Sequence, residues 1–136
     1  MMERIFVDTG GWYAAIARRD HDHEAAKAFL SDNHLQLLTS DYVMDETVTL
    51  LQSRIGHSYA VRFLDALQAS EQIELIQLTS FHLTKTIELF RSRSDKGWSF
   101  TDCSSFVLMR EYNIQSAFAF DEHFRQAGFL LRPSSQ

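Results

Sequence analysis

Short apolar runs alternate with stretches of helical periodicity from one end of this chain to the other, and that alternation limits its folds more than any other feature. Arg4 to Val7, Gln36 to Thr39, Ile73 to Leu78, Ser116 to Phe120 and Phe129 to Leu131 read as strands. Residues 12–17, 23–30, 41–55, 57–69, 81–91, 102–112 and 122–126 read as helices. Strands separated by helices cross over and pair in parallel, and a parallel sheet is buried on both faces. The expected class is therefore α/β, a mostly parallel sheet covered by helices. A chain of 136 residues with 45% hydrophobic side chains forms one ordinary core. No linker, repeat or low-complexity segment divides it, so a single domain over 1–136 is expected.

Charge and cysteine content narrow the function. The formal net charge is -5, which argues against a passive nucleic-acid binder held by charge alone. It leaves room for an enzyme in which bound cations meet a phosphate. With one cysteine, Cys103, no intrachain disulfide forms. The start carries no apolar leader and no apolar stretch has the length of a membrane span, so a cytoplasmic protein with no membrane partner is expected.

Four acids carry the chemical information. Asp8 ends the run Ile5-Phe6-Val7, and Asp121 ends the run Ala117-Phe118-Ala119-Phe120. Asp102 opens a helical pattern that Thr101 is placed to cap. Glu46 lies inside a helix whose buried face comprises Val43, Met44, Thr47, Leu50, Leu51 and Ile55. On a helical wheel it falls at the rim of that face, about 40° from Leu50, whereas Asp45 points away. Singly, each acid has an ordinary explanation: a helix cap for Asp8, a first-turn dipole partner for Asp102, a turn former for Asp121, a surface acid for Glu46. Together they aim at one edge, because ligands of a parallel sheet bind beyond the carboxyl ends of its strands. Such a pocket costs free energy unless a cation or a shared proton relieves the repulsion. Hard carboxylate oxygens suit Mg²⁺ or Mn²⁺ over zinc. The chemistry that fits is phosphodiester hydrolysis, in which the metal lowers the pKa of water, shields the phosphate and steadies the leaving oxygen.

The order of these residues resembles the PIN-domain ribonucleases, and within them the VapC-like toxins of bacterial toxin–antitoxin pairs. The carrying pieces are Ile5-Phe6-Val7-Asp8-Thr9, Thr39 to Glu46, Ser99-Phe100-Thr101-Asp102-Cys103, and Ala119 to Phe124 with Ala127-Gly128-Phe129. The resemblance covers nearly the whole chain. It implies a three-layer α/β/α sandwich with a parallel four- to five-stranded sheet. It implies RNA cleavage with Mg²⁺ or Mn²⁺, leaving a 5′-phosphate and a 3′-hydroxyl. Asp8 and Asp102 match the principal metal ligands, Asp121 the third acid, and Glu46 a ligand through water or the group that orients the attacking water. Thr9 matches a hydroxyl that helps hold the site together. An antitoxin that wraps the enzyme and blocks its site is implied, as is a homodimer formed through helices early in the chain. Gly10-Gly11 departs from relatives that carry a polar or small residue after the threonine, which loosens the expected turn.

Other features divide between function and packing. Arg91, Arg93 and Lys96 precede Asp102 and form either a phosphate-guiding rim or a solvated loop. Arg18 and Arg19 read either as an RNA contact or, in preference, as a solvated connection. Trp98 and the phenylalanines Phe29, Phe63, Phe81, Phe90, Phe106, Phe118 and Phe120 read as core or rim packing. Asp20-His21-Asp22-His23-Glu24 reads as a charged helix start rather than a metal site, and Cys103 as a small buried residue rather than a nucleophile. Two rival enzymes fit poorly. An aspartyl-phosphate phosphatase needs a second acid where Gly10 stands, and a receiver domain needs a lysine where Glu122-His123 stands. A housekeeping RNA-processing nuclease and a non-catalytic PIN-fold binding module remain as alternatives.

Overall fold

The computed structural model describes residues 2–133. Its strands are β1 (Glu3–Val7), β2 (Leu35–Ser40), β3 (Ile73–Ile76), β4 (Ser116–Phe118) and β5 (Leu130–Arg132). Its helices are α1 (Thr9–Ile16), α2 (His23–Leu30), α3 (Asp41–Arg54), α4 (His57–Ala69), α5 (Ser80–Ser92), α6 (Phe100–Glu111) and α7 (His123–Gln126). The five strands form one parallel sheet in the order β3-β2-β1-β4-β5. This is the α/β sandwich expected from the alternation. The polar tail falls partly outside the described residues, which end before Ser134; Arg132 itself is paired in β5.

The sheet order explains where a site can form. From β1 the chain builds outward through β2 and β3, then returns across the sheet to lay β4 against the other side of β1. The connections on either side of the β1–β4 boundary diverge, which opens a crevice at the carboxyl ends of those two strands. Asp8 immediately follows β1, and its backbone N–H donates to the carbonyl of Phe118, the last residue of β4. Ile5, Phe6 and Val7 are fully buried, as a strand covered on both faces requires.

Several boundaries differ from the sequence reading for local reasons. The first helix starts at Thr9 rather than Trp12, so Gly10 and Gly11 are its first turn and not a separate loop. A Cβ on Gly11 would stand 2.7 Å from the Phe118 carbonyl oxygen, so the bare glycine lets α1 sit against β4. Helix α6 is capped by Ser99, not Thr101: the Ser99 hydroxyl accepts from the Asp102 N–H at 3.0 Å. The cap of α5 is Thr79, with His82 as the reciprocal partner, so the helix begins at Ser80. Strand β4 ends at Phe118, two residues before the apolar run does, which frees Ala119 and Phe120 to carry the chain toward Asp121. Phe81 and Phe90 are exposed rather than core, at 59% and 47%. The remaining phenylalanines of that pattern are buried or half-buried, and Trp98 is buried with its Nε1–H on Gln126 Oε1 at 3.0 Å.

An aromatic cluster fixes the two helices that matter most for the site. Phe106 of α6 packs against Trp98, Phe124 and Phe129 with ring centroids 4.9, 5.0 and 5.8 Å away. Contacts of this kind add about 0.5–1.5 kcal/mol each beyond burial. They lock the short α7 onto α6, and so hold the residue before Phe124, His123, over the first turn of α6.

Candidate metal centre

Asp8 occupies the N-cap position of α1 but does not act as a cap: its backbone is extended and its side chain makes no capping hydrogen bond. The residue is 4% exposed. Burial is the main force raising its carboxyl well above the ordinary carboxylate range, and Asp102, Asp121 and Glu46 push it further in that order. The nearby Thr9 backbone N–H pulls the other way. A buried acid surrounded by three like charges, with no capping duty, is an arrangement that a bound cation relieves. Asp102, Asp121 and Glu46 thus each act on the charge of Asp8, while Asp8 and Glu46 themselves fall outside the tighter group that Asp102 and Asp121 form with His123.

Asp102 serves two masters. Its Oδ2 accepts from the Ser99 N–H at 3.1 Å, completing a capping box, and from His123 Nδ1 at 2.8 Å. The structural role expected of a first-turn acid is therefore real, and it orients the carboxylate without using Oδ1. Asp121 closes an Asx turn, its Oδ1 accepting from the His123 N–H at 2.9 Å. Burial raises its carboxyl, and Asp102 adds to this, against the His123 N–H; its side chain remains 48% exposed, so water moderates the effect. Ligand atoms of Asp102, Asp121 and His123 lie within 4.8 Å of one another.

His123 is the residue that sequence reasoning missed. A carboxylate only accepts hydrogen bonds, so Nδ1 of His123 carries the proton in its contact with Asp102. Its ring fixes the orientation of the acid, a task that outer groups commonly perform for metal ligands. The signal was present as Asp121-Glu122-His123-Phe124: an Asx turn two residues before a histidine, with a buried phenylalanine to anchor it.

Glu46 is half-buried on α3, whereas Asp45 is exposed, and of the three charges that act on Asp8 that of Glu46 has the smallest effect. Thr9 is buried; the Thr47 hydroxyl donates to the Val43 carbonyl at 2.7 Å, which leaves its oxygen to accept from the Thr9 hydroxyl at 3.4 Å. That contact ties α1 to α3 directly behind Asp8 and Glu46. Thr101 contributes its carbonyl to Ser104 and does not cap the helix. Lys96 and Arg93 both pair with Asp95, at 3.9 and 3.5 Å, and Arg93 also stacks over Trp98; Arg91 is exposed. Burial and Asp102 push the Cys103 thiol up, away from nucleophilic use. The Asp20 to Glu24 run forms a turn in which Asp20 accepts from the Asp22 N–H and His23 bonds the Ala14 carbonyl.

Comparison with known proteins adds to this geometry. Residues 5–130 match the PIN domain family. The chain belongs to the PIN-domain family. It is 36% identical over 130 residues to the 23S rRNA-specific endonuclease VapC20 of Mycobacterium tuberculosis, covering 95% of this chain and 98% of that protein. The crystal structure of M. tuberculosis VapC20, described as a Sarcin-Ricin loop cleaving toxin, superposes with a TM-score of 0.87 over 93% of this chain and 96% of that one. VapBC2 from Rickettsia felis, solved with a DNA fragment from its promoter, shares the fold at a TM-score of 0.67 and 15% identity, over 95% and 97% of the two chains. As PIN nucleases generally use a divalent metal, an acidic cluster of this kind is the expected centre of such a domain.

Proposed function

We propose that this PIN-domain protein is a metal-dependent endoribonuclease and the toxin of a toxin–antitoxin pair, with Asp8, Asp102, Asp121 and Glu46 as its catalytic acids. The observation that carries the reading is the convergence on buried Asp8 of three acids drawn from α3, α6 and the end of the β4 run. Asp8, Asp102 and Asp121 would hold one or two Mg²⁺ or Mn²⁺ ions, whose chemistry is to lower the pKa of water and neutralise phosphate charge. Glu46, at the rim, would orient the attacking water. His123 and the Ser99 N–H hold Asp102 in place, while Thr9 and Thr47 keep α1 and α3 at a fixed spacing behind the acids. Arg91, Arg93 and Lys96 would line the substrate entrance, with Asp95 tempering the last two.

The substrate class is RNA with a looped-out strand, since such loops offer unpaired bases and an accessible backbone. Similarity to the 23S rRNA-specific relative favours a ribosomal stem-loop over other RNAs. A cognate antitoxin and a homodimer belong to the same reading. The homodimer is expected through helices early in the chain, where Val61 of α4 is one of the exposed large apolar side chains. A cytoplasmic setting is consistent with the described residues, among which no helix is long and apolar enough to cross a membrane.

The direct test is cleavage of a ribosomal stem-loop RNA by the purified chain with Mn²⁺ or Mg²⁺. Asp8→Asn and Asp102→Asn should each abolish cleavage while circular dichroism stays unchanged, and the products should carry 5′-phosphates. Full activity in both variants would remove the assignment.

A further inference from the structure

Away from the acids, the cations of this net-negative chain are not evenly spread. A groove of about 590 Å³ opens where the last turns of α1 and α3 meet the start of α4, and Arg18, Arg19 and Arg54 line it. A second groove of about 320 Å³ adjoins it, sharing Ile16, Arg18 and Tyr59 and adding Lys27 and Arg62. All five cations are exposed, and among the described residues none has a carboxylate oxygen within 4.0 Å. One acid, Asp20, lines the walls against them. Two guanidinium groups lie over tyrosine rings, Arg54 on Tyr13 at 5.5 Å and Arg62 on Tyr59 at 5.3 Å. Unpaired guanidiniums beside aromatic rings suit a backbone of phosphates carrying stackable bases.

The groove shares helices α1 and α3 with the metal centre but none of its acids. Glu46, Leu50 and Arg54 follow one another at four-residue spacing and so share a face of α3. Arg54 stands about 12 Å along the helix from Glu46. Helix α1 packs beside it, with the Thr9–Thr47 contact near the acids and the Tyr13–Arg54 contact about one turn further along α1, at the groove. The α1–α3 seam itself is buried, so a strand that extends from the acids would follow the outer face of α3 past Leu50 to reach Arg54 and the cationic groove. A ligand that must occupy both ends is the substrate.

We propose that this groove is an RNA exosite, which grips phosphates of the substrate some nucleotides from the scissile bond. The proposal rests on the endoribonuclease reading for its substrate, but it concerns binding rather than cleavage. It is tested with Arg54→Ala combined with Arg62→Ala, and with the matching double lysine variant. Both are placed in an Asp102→Asn background so that RNA survives the measurement. The probe is a fluorescein-labelled ribosomal stem-loop, followed by anisotropy between about 50 and 200 mM KCl, with thermal melting as the folding control.

Loss of two phosphate contacts should weaken binding at low salt and flatten the plot of log K against log salt by about 1.4, the single-strand value for two charges. The lysine pair should keep the slope. In the active background the alanine pair should raise KM with kcat unchanged. An unchanged affinity and slope, or no RNA binding by the parent protein, overturns the exosite. Loss of binding to a glutamate-rich 20-residue peptide alone would overturn it as well, and assign the groove to an acidic protein partner. Groove-dependent RNA binding by a protein that cuts no RNA would instead sink the nuclease reading and leave the exosite standing.

Discussion

Replacing Asp8 by asparagine should make the metal-free protein more stable while destroying its activity. The side chain is nearly the same size, so packing around the 4%-exposed position is retained. What changes is charge: burial, Asp102, Asp121 and Glu46 all oppose ionisation of Asp8. Because the folded-state pKa is raised, the native protein binds more protons than the unfolded chain, and stability falls as pH rises from the ordinary carboxylate range through the raised value. Below the ordinary range Asp8 is protonated in both states and the penalty is absent. Each pKa unit of elevation corresponds to about 1.4 kcal/mol. For a domain of this size, 1 kcal/mol moves Tm by roughly 3–5 °C. Burying the asparagine amide without a partner costs about 1–3 kcal/mol, which offsets part of the gain.

The assay is thermal melting of parent and variant in chelator across pH 4 to 8.5. The expected result is a Tm difference favouring the variant at pH 8, shrinking as pH falls. With Mn²⁺ added, the parent should gain stability by mass action, about 2.7 kcal/mol at a hundredfold excess over Kd, and the variant should not. A variant that melts below the parent at pH 8 in chelator, with parallel pH profiles, would refute the claim that repulsion is stored at Asp8.

His123→Ala should lower metal affinity or cleavage by about 10- to 100-fold through loss of Asp102 orientation, with the fold intact by circular dichroism; unchanged metal titration would limit the histidine to a packing role. Gly11→Ala should cost about 1–3 kcal/mol in urea unfolding, because its Cβ would meet the Phe118 carbonyl at 2.7 Å. Ser105→Ala should stabilise by about 1 kcal/mol, since the buried Ser105 hydroxyl has no partner among the described residues; a clear drop in Tm would contradict this. His82→Ala should destabilise by about 1–2 kcal/mol, because the buried ring accepts from the Thr79 N–H through Nδ1 and contacts Glu111 through Nε2.

The strands and the acids could be read early because both are written in local patterns. A buried parallel strand is a continuous apolar run, and an acid at its end has few places to go but the sheet edge. Glu46 was placed by helical phase alone. The helix caps were harder, since Ser99, Thr101, Thr79 and Ser80 all have the right chemistry. The decisive clue was reciprocal spacing, Ser99 to Asp102 and Thr79 to His82, each a box of cap and third residue. Phe81 and Phe90 misled because an aromatic residue signals packing without saying how much of the ring is covered: Phe81 meets His82, and Phe90 meets Phe100, in edge contacts, and both stay exposed. His123 escaped because its role arises only when the Asx turn at Asp121 and the burial of Phe124 swing it over α6. The cationic groove joins residues from four helices, which no local pattern brings together.

Mn²⁺-soaked crystals measured at the manganese edge address the main idea most simply. The account predicts an anomalous peak bounded by Asp8, Asp102 and Asp121, with Glu46 within reach of a bound water, and its loss in Asp8→Asn. A peak elsewhere, or none at millimolar Mn²⁺ in well-ordered crystals, would contradict it.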